Sequence, residues 1–255
     1  MAGIYLKSEA ELAKMRKAGL MLEQVLAEVS AAAVEGVTTA ELDRIAFSRI
    51  KAMKAKPAFK GLYDFPATLC TSFNEEIVHG IPGKRKLASG DILSIDCGLI
   101  HDGFYADSAV TVAVGTISAE ARRLLDVTLD SLWAGIHAAA PGGRVSDIGA
   151  AIERTVRAAG FFPTENYTGH GIGRKLHEDP KVFNTAEPIG PKLSPGMTLA
   201  VEPMINIGTS DAMELSDGWT VVTRDRSLSA HFEHTIAITA QGVEVLTCSN
   251  PRPRA

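Results

Sequence analysis

Two segments of this chain repeat each other at a constant separation of 106 residues, and each ends in a carboxylate. SGDILSID ends at Asp96, and SPGMTLAVE ends at Glu202. Helix positions repeat at the same offset, as in the pairs Gly36/Gly142, Glu41/Asp147, Leu42/Ile148 and Ile50/Val156. The repeat predicts two related halves about a pseudo-twofold axis. Two acids at equivalent strand ends would then face one positive charge, most simply a metal ion.

The composition limits the kind of protein. The 255 residues suit one large domain, 1–255, with repeat halves at about 8–114 and 118–240. A net charge of −4 argues against a broad basic surface for nucleic acid. Three cysteines make no disulfide framework and fit a reducing cytoplasm. Neither a membrane-spanning apolar run nor a secretion signal is present, so we expect a cytoplasmic protein.

Helix and strand signals come in the same order in both halves. The predicted helices cover 8–34, 39–53, 118–140 and 146–159, and the predicted strands cover 91–100, 103–114, about 197–208, 218–223 and 230–239. Each half also has a Gly- and Pro-rich segment, containing NEEIVHGIPG in the first and GHGIGRKLHEDP in the second. This order favours an α+β fold, an antiparallel sheet flanked by helices, over alternating βαβ units.

Asp96 and Asp107 are the first candidate pair. They lie in two strands that the sequence joins at His101-Asp102, and pairing Ile100 with Gly103 would put the two acids directly opposite. Their Cβ atoms would then be about 4.5–5.5 Å apart. Carboxylates that close raise one another's pKa, and a cation would relieve the repulsion. Taken alone, the pair is equally consistent with exposed acids on a polar hairpin face.

Glu202 and Glu233 form a second candidate pair. Because Glu202 repeats Asp96, Glu233 in the strand SAHFEHTIAIT is the counterpart of Asp107, with a longer connection between the strands. Four carboxylates on one sheet face could hold two hard or borderline cations. Without the repeat, a cross-strand partner of a surface Lys or Arg is the better interpretation of Glu233.

Four histidines are candidates for chemistry. His170 lies between glycines in TGHGIG, where the backbone can approach a site closely. His79 and His177 suit proton transfer or substrate hydrogen bonding near neutral pH. Taken alone, His79 and His177 are each more often ordinary loop histidines, and the GHG string around His170 is a weak signal that also allows a phosphate loop, although the Lys and Ser/Thr of a Walker motif are missing. His231 should lie on the same sheet face as Glu233 and contact a metal ligand rather than the metal itself.

These motifs, in this order and spacing, resemble the type I methionine aminopeptidases, in their short bacterial form. The matching runs cover nearly the whole chain: NEEIVHGIPG, SIDCGLIHDGFYADSAVT, GHGIGRKLHEDP, LAVEPM and DGWTVVTRDRSLSAHFEHTIAIT. The resemblance implies the pita-bread fold, with two pseudo-symmetric halves around a central antiparallel sheet. It also implies hydrolytic removal of an N-terminal methionine, favouring a small second residue.

The resemblance also implies five metal ligands. Asp107 and Glu233 would bridge two divalent ions, Asp96 would bind one of them, and His170 and Glu202 would bind the other. Co, Mn, Fe, Zn or Ni would suit such mixed carboxylate and imidazole ligands, so the sequence does not identify the metal.

The same resemblance assigns substrate contacts. His79 would hydrogen-bond the scissile amide nitrogen, His177 would contact the carbonyl oxygen, and Glu202 would take a proton from the attacking water. The methionine pocket would be apolar, as a thioether requires, and its positions correspond to Phe59, Leu62, Phe65, Cys70, Leu176 and Trp219. Leu176, Phe59 and Leu62 depart from the residues common in bacterial members, which leaves the pocket shape and inhibitor selectivity open.

The implied partners are N-terminal methionine peptides and nascent polypeptides, with an encounter at the ribosome as an expectation. Family precedent favours a monomer. One alternative is another pita-bread peptidase, such as a prolidase or aminopeptidase P. A second is a catalytically inactive homologue that binds peptides or proteins, although retention of all five ligands argues against it.

Overall fold

The computed structural model describes residues 3–253. Its four helices are α1 Glu9–Ala32, α2 Thr39–Ala52, α3 Ala119–Ala138 and α4 Val145–Ala158. All four predicted helices are confirmed, with ends within two residues of the prediction. Residues 1–2 and 254–255 of the predicted domain lie outside the described residues. No helix in the described range combines the length and apolar character that crossing a membrane requires.

Fifteen short and long strands are described between residues 3 and 253. They are β1 Lys56–Pro57, β2 Leu69–Phe73, β3 Glu76–Val78, β4 Ile92–His101, β5 Phe104–Ala113, β6 Phe162–Pro163, β7 Gly169–Gly171, β8 Glu178–Val182, β9 Thr198–Val201, β10 Met204–Asn206, β11 Ala212–Glu214, β12 Val221–Thr223, β13 Ser229–His231, β14 Glu233–Thr239 and β15 Gly242–Val245. The main sheet has nine strands in the order β1-β4-β5-β14-β9-β7-β8, with β2 on β4 and β15 on β14.

The two halves repeat as the sequence predicts. Helix α4 begins and ends 106 residues after α2, and β9 begins 106 residues after β4. Isolated bridges join Thr38 to Lys86 in the first half and Arg144 to Lys192 in the second, again at this offset. The halves meet where β5 pairs with β14, so the repeat builds one continuous antiparallel sheet.

Three predicted strands were too long. The strand over 197–208 is divided between β9 and β10 because Pro203 has no N–H for a sheet hydrogen bond. The strand over 230–239 breaks at Phe232, whose N–H donates to the carbonyl of Pro203. The strand over 218–223 is reduced to β12, since Asp217 accepts hydrogen bonds from the N–H groups of the next residues in a tight turn.

The predicted register of the β4–β5 hairpin was also wrong. His101 pairs with Phe104, and the turn contains only Asp102 and Gly103, with φ values of 49° and 81°. Such a two-residue turn matches the twist of the strands it joins. In this register Asp96 is opposite Ala109 and not Asp107. Because the error is two residues, both acids stay on the same face, in diagonal positions.

Alternation along the strands separates the core from the site. Leu93 and Ile95 of β4 pack against α1 and α2, and Leu199 and Ile236 of β9 and β14 lie in the core beneath α3 and α4. The intervening residues of the same strands point to the other face of the sheet. Asp96 is one of these, and the helices therefore cover one face while the candidate site occupies the other.

Candidate metal centre and substrate pocket

The first row of the site runs across three strands. Asp96 on β4 is opposite Ala109 on β5, and Ala109 is opposite Glu233 on β14. Residues paired across strands share a face, so the two acids point to the same side with the small Ala109 between them. The repeat-based prediction that Glu233 joins the Asp96 cluster is therefore supported by the strand pairing.

A second row lies two residues along the sheet. His170 on β7 is opposite Ala200 on β9, which is opposite Thr235 on β14. Thr235 Oγ1 accepts the N–H of Asp107 on β5 and donates to the Asp107 carbonyl. Glu202 follows just after β9, on the same face as Ala200. The two rows thus place all five predicted ligands on one face.

Asp107, His170 and Glu233 form the tightest group. One ligand atom of each lies within 4.8 Å of the others, as a shared metal ion requires. His170 Nε2 lies 4.0 Å from Asp107 Oδ2 and 3.4 Å from Glu202 Oε1. Asp96 lies beside Asp107 and raises its pKa, so it adjoins the same group.

The buried polar atoms of this group fit a divalent cation. Within residues 3–253, Asp96 Oδ1, Asp107 Oδ1 and Glu233 Oε1 are buried without a hydrogen-bond partner. Buried carboxylate oxygens left in this state are costly. Their oxygens, with one imidazole nitrogen, are donors that divalent transition metals accept. The residues present therefore fit the metal ions that the resemblance implies.

The carboxylates have strongly shifted pKa values. Burial raises the pKa of Asp96 to about 7. Burial, and then the charges of Asp96 and Glu202, raise the pKa of Asp107 well above its usual range. The pKa values of Glu202 and Glu233 are raised in the same way, first by burial and then by neighbouring carboxylates. These acids resist ionising together unless a cation neutralises them.

One hydrogen bond to the backbone fixes the orientation of His170. Its Nδ1 lies 2.8 Å from the carbonyl oxygen of Gly171, so Nδ1–H donates and Nε2 keeps its lone pair. A metal-binding histidine is held by such a contact. His231, as predicted, approaches the ligands from outside, with Nε2 3.7 Å from Glu202 Oε2. It belongs to β13, however, and not to the strand of Glu233.

A cavity of about 840 Å³ opens beside the carboxylates. It is lined by all six predicted methionine-pocket residues: Phe59, Leu62, Phe65, Cys70, Leu176 and Trp219. Phe65 and Trp219 meet edge to face, with ring centroids 4.9 Å apart. This apolar end is continuous with the acidic end, where Asp96, Asp107 and Glu233 reach the same cavity.

His79 and His177 both line this cavity. The ring of His79 is edge-on to Trp219, at a centroid distance of 6.4 Å. The ring of His177 lies 4.5 Å from that of His170, also edge-on. Burial, and then His177, lower the pKa of His79 to about 4, and burial lowers the pKa of His177. Both rings are therefore set for hydrogen bonding in their neutral form.

Sequence reasoning missed several residues of the cavity. Tyr167 lies edge-on to His79 at 6.3 Å, and Tyr63 stacks parallel to His177 at 6.4 Å. The N-terminal segment around Lys7 also lines the cavity. Tyr167 lies three residues before His170, which was a weak signal, whereas neither Tyr63 nor Lys7 has a local sequence pattern that points to the site.

Comparison with known proteins decides the family. Residues 13–240 match metallopeptidase family M24. The methionine aminopeptidase of Clostridium perfringens is 50% identical over 245 residues, which cover 96% of this chain and 98% of that protein. This chain belongs to the methionine aminopeptidases of metallopeptidase family M24.

Solved structures agree with this family. A methionine aminopeptidase from Rickettsia prowazekii superposes with a TM-score of 0.95 at 39% identity, covering 96% of this chain and all (100%) of that one. A prolidase from Pyrococcus furiosus shares only the fold, with a TM-score of 0.76 at 19% identity, and the chain covers 66% of its length. The predicted α+β pita-bread fold is thereby confirmed, in the form that methionine aminopeptidases have.

Proposed function

We propose that this chain hydrolyses the peptide bond after an N-terminal methionine, as a metal-dependent exopeptidase. The observation that carries the proposal is one cavity with two unlike ends. Buried carboxylates and His170 form one end, and apolar side chains form the other. An amino terminus would bind at the acidic end while a thioether side chain fills the apolar end. The methionine aminopeptidase relatives support this substrate over other peptides.

Two divalent ions are part of the proposal. Asp107 and Glu233 would bridge them, Asp96 would bind one, and His170 and Glu202 would bind the other. The unpartnered buried oxygens of Asp96, Asp107 and Glu233 support this assignment. When bound, such ions polarise the substrate carbonyl and lower the pKa of the attacking water. Co, Mn, Fe, Zn and Ni all remain compatible with the ligands.

Glu202 is the proposed proton carrier. Its two carboxylate oxygens face different histidines, Oε1 at 3.4 Å from His170 Nε2 and Oε2 at 3.7 Å from His231 Nε2. Asn184 fixes the backbone beneath it by donating to the Glu202 carbonyl at 3.0 Å. A carboxylate held this way can accept a proton from the attacking water and pass it to the leaving amine.

His79 and His177 are the proposed substrate-contacting histidines. His79 would hydrogen-bond the scissile amide nitrogen, and His177 would donate to the carbonyl oxygen as negative charge develops there. Their positions on the cavity wall, in the neutral form, support both roles.

The remaining expectations concern the setting of the reaction. We propose that 1–255 acts as one catalytic domain and as a monomer, and that it favours a small second residue. The substrates would be nascent polypeptides and N-terminal methionine peptides, in the cytoplasm and with an encounter at the ribosome. The monomeric state and the preference for a small second residue rest on the family resemblance, and the cellular setting is an expectation for this activity.

The test is a comparison of peptides with chain purified without added metal. Met-Ala-Ser, Xaa-Pro-Ala and Met-Trp-Ser are assayed for release of the first residue, before and after addition of Co²⁺ or Mn²⁺. We expect metal-stimulated release of methionine from Met-Ala-Ser and little from Met-Trp-Ser. Cleavage of Xaa-Pro peptides alone would favour a prolidase-like enzyme. No hydrolysis at saturating metal would favour a peptide-binding homologue.

A further inference from the structure

A buried ion pair connects the N-terminal segment to a wall of the cavity. Lys7 Nζ lies 2.5 Å from Glu178 Oε2, and the two side chains are only 5% and 10% exposed. The partners are 171 residues apart in sequence. Neither residue is among the proposed ligands or substrate contacts, so the pair is unexplained by the reaction as described.

The Glu178 side chain hydrogen-bonds the backbone of the loop that carries two cavity-lining residues, Leu176 and His177. Its Oε1 accepts hydrogen bonds from the N–H groups of Arg174 at 2.8 Å and Lys175 at 3.1 Å. Leu176 and His177 lie between these amides and the carboxylate that holds them. The Glu178 side chain therefore fixes the path of the backbone from which both residues reach the cavity.

Lys7 is held as firmly on its own side. Its N–H donates to the carbonyl of Gly196 at 2.7 Å, and its Nζ also donates to the carbonyl of Tyr5 at 3.3 Å. The Lys7 side chain packs so closely on Gly173 that a Cβ there would collide with Cε and Nζ. Contacts with Tyr5, Gly173 and Gly196 therefore fix the position of the Lys7 side chain beside the loop.

We propose that the Lys7–Glu178 pair positions His177 and Leu176 against the substrate. The inference rests on the proposed function, since it assigns a purpose to the loop that bears His177. Buried pairs of this kind seldom add stability over an apolar replacement, yet removing one partner leaves an uncompensated charge. Glu178 without Lys7 would turn toward water and release the amides of Arg174 and Lys175.

The experiment compares Lys7→Met, Glu178→Gln and the double variant with the unchanged chain on Met-Ala-Ser. We expect Lys7→Met to lower kcat/KM at least tenfold, mainly through kcat, because His177 acts where charge develops in the transition state. Since the double variant leaves no uncompensated carboxylate, it should recover at least threefold relative to Lys7→Met.

Arg16→Met is the matched control. Arg16 also joins the N-terminal region to a distant glutamate, Glu244, through hydrogen bonds of 2.5 and 2.7 Å. Neither residue of that pair lines the cavity, and the two side chains are 38% and 34% exposed. Its loss should change kcat and KM less than twofold, even where the melting temperature falls as much as in Lys7→Met.

A second readout does not depend on activity. In metal-free protein, amide hydrogen exchange at Arg174 and Lys175 should accelerate at least tenfold in Lys7→Met and stay unchanged in Arg16→Met. If the unchanged chain is active but Lys7→Met keeps its kcat, KM and slow exchange, the positioning role is wrong and the proposed function stands. If the unchanged chain releases no methionine, the proposed function and the catalytic role of the pair both fail, while exchange still reports whether the pair orders the loop.

Discussion

His170 Nε2 lies 3.4 Å from Glu202 Oε1, yet the histidine brings no positive charge to the carboxylates. Burial, and then His177, lower the pKa of His170 to about 4. Burial also lowers the pKa of His231, on the other side of Glu202, to about 3. Both imidazoles are therefore neutral near pH 7. The negative charge of the four acids must be neutralised by protons or by bound cations. The site is therefore sensitive to both pH and metal ions.

The metal-free protein should lose stability as pH rises from 6.5 to 8.5. The pKa of Asp96 is raised to about 7, and those of Asp107, Glu202 and Glu233 are raised well above their usual values. Folded protein then holds protons that the unfolded chain, with ordinary carboxyl pKa values of about 4, has lost. Stability consequently falls as these acids are forced to ionise. Thermal melts with a chelator should show a lower melting temperature at pH 8.5 than at pH 6.5.

The buried histidines affect stability with the opposite sign, but mainly below this pH range. Buried His170 and His231 have lowered pKa values, so their contribution rises with pH only up to the ordinary histidine pKa of about 6.5. Added Mn²⁺ or Co²⁺ should flatten the decline, because a cation stabilises the ionised carboxylates. A chelated protein equally stable at both ends of the window would contradict this account of the site.

Loss of one central ligand should abolish turnover without unfolding the protein. Glu233→Ala and His170→Ala are expected to lower kcat at least about a hundredfold, since losing even an outer partner of a metal ligand costs about 10–100-fold. Glu233→Ala also removes one of the repelling buried acids. Its metal-free form at pH 8 should therefore be at least as stable as the metal-free unchanged chain. Bound metal, melting temperature and peptide release are measured together.

Glu214→Ala is the control for this prediction. Glu214 is an exposed acid on β11, outside the cavity, and its removal should leave metal content and activity unchanged. Near-normal turnover in either ligand variant would show that the site has been placed on the wrong residues.

Local patterns predicted much of the fold. Ser8 and Glu11, three residues apart at the start of the predicted helix 8–34, have the spacing of a capping box, and both of its hydrogen bonds form. The same holds for Thr38 and Glu41 at the start of α2. The 106-residue repeat predicted which strands are equivalent, and from that followed the place of Glu233 beside Asp96. These features could be predicted because they depend on residues close in sequence or on symmetry.

Features set by tertiary contacts could not be predicted in this way. The hairpin register differed by two residues because the polarity of alternate positions is unchanged by such a shift. Strand β7 has three residues, Gly169–Gly171, and only its partners β8 and β9 make it a strand. The Lys7–Glu178 pair joins residues 171 positions apart, for which the sequence has no periodic signal.

The apolar end of the cavity should determine selectivity for methionine. Phe65 is 4% exposed and packs edge-on to Trp219. Phe65→Ala should lower kcat/KM on Met-Ala-Ser about 10- to 100-fold, the range expected when an apolar pocket loses contacts. The loss should be smaller for peptides that begin with a bulkier residue, since they can fill the space. Phe47→Ala is the control, because Phe47 is a half-exposed aromatic residue outside the cavity. It should leave kcat/KM unchanged for both kinds of peptide.

His79 should affect the rate without adding a pKa to the pH profile. Burial, and then His177, hold its pKa at about 4, so the ring stays neutral throughout pH 5–8. His79→Ala is expected to lower kcat by about 10²–10³-fold, the cost of losing a hydrogen bond to the transition state, with both limbs of the kcat–pH curve in place. If His79→Ala removes one limb of the kcat–pH curve between pH 5 and 8, the His79 ring titrates during the reaction. His79 also has a positive φ of 61°, so His79→Gly should be at least as stable as His79→Ala while equally inactive.

The pseudo-twofold axis itself can be tested at one pair of glycines. Gly36 and Gly142, 106 residues apart, have φ values of 88° and 85°, and a Cβ at either would meet no atom within 4 Å. A substitution therefore costs only backbone strain, about 1–2 kcal/mol for a residue forced into the left-handed region. Gly36→Ala and Gly142→Ala should lower the free energy of unfolding by equal amounts, within about 0.5 kcal/mol. Denaturant melts of both variants measure the difference. A clearly unequal loss would mean that the two halves do not carry equivalent strain, because packing at the two sites is equally open.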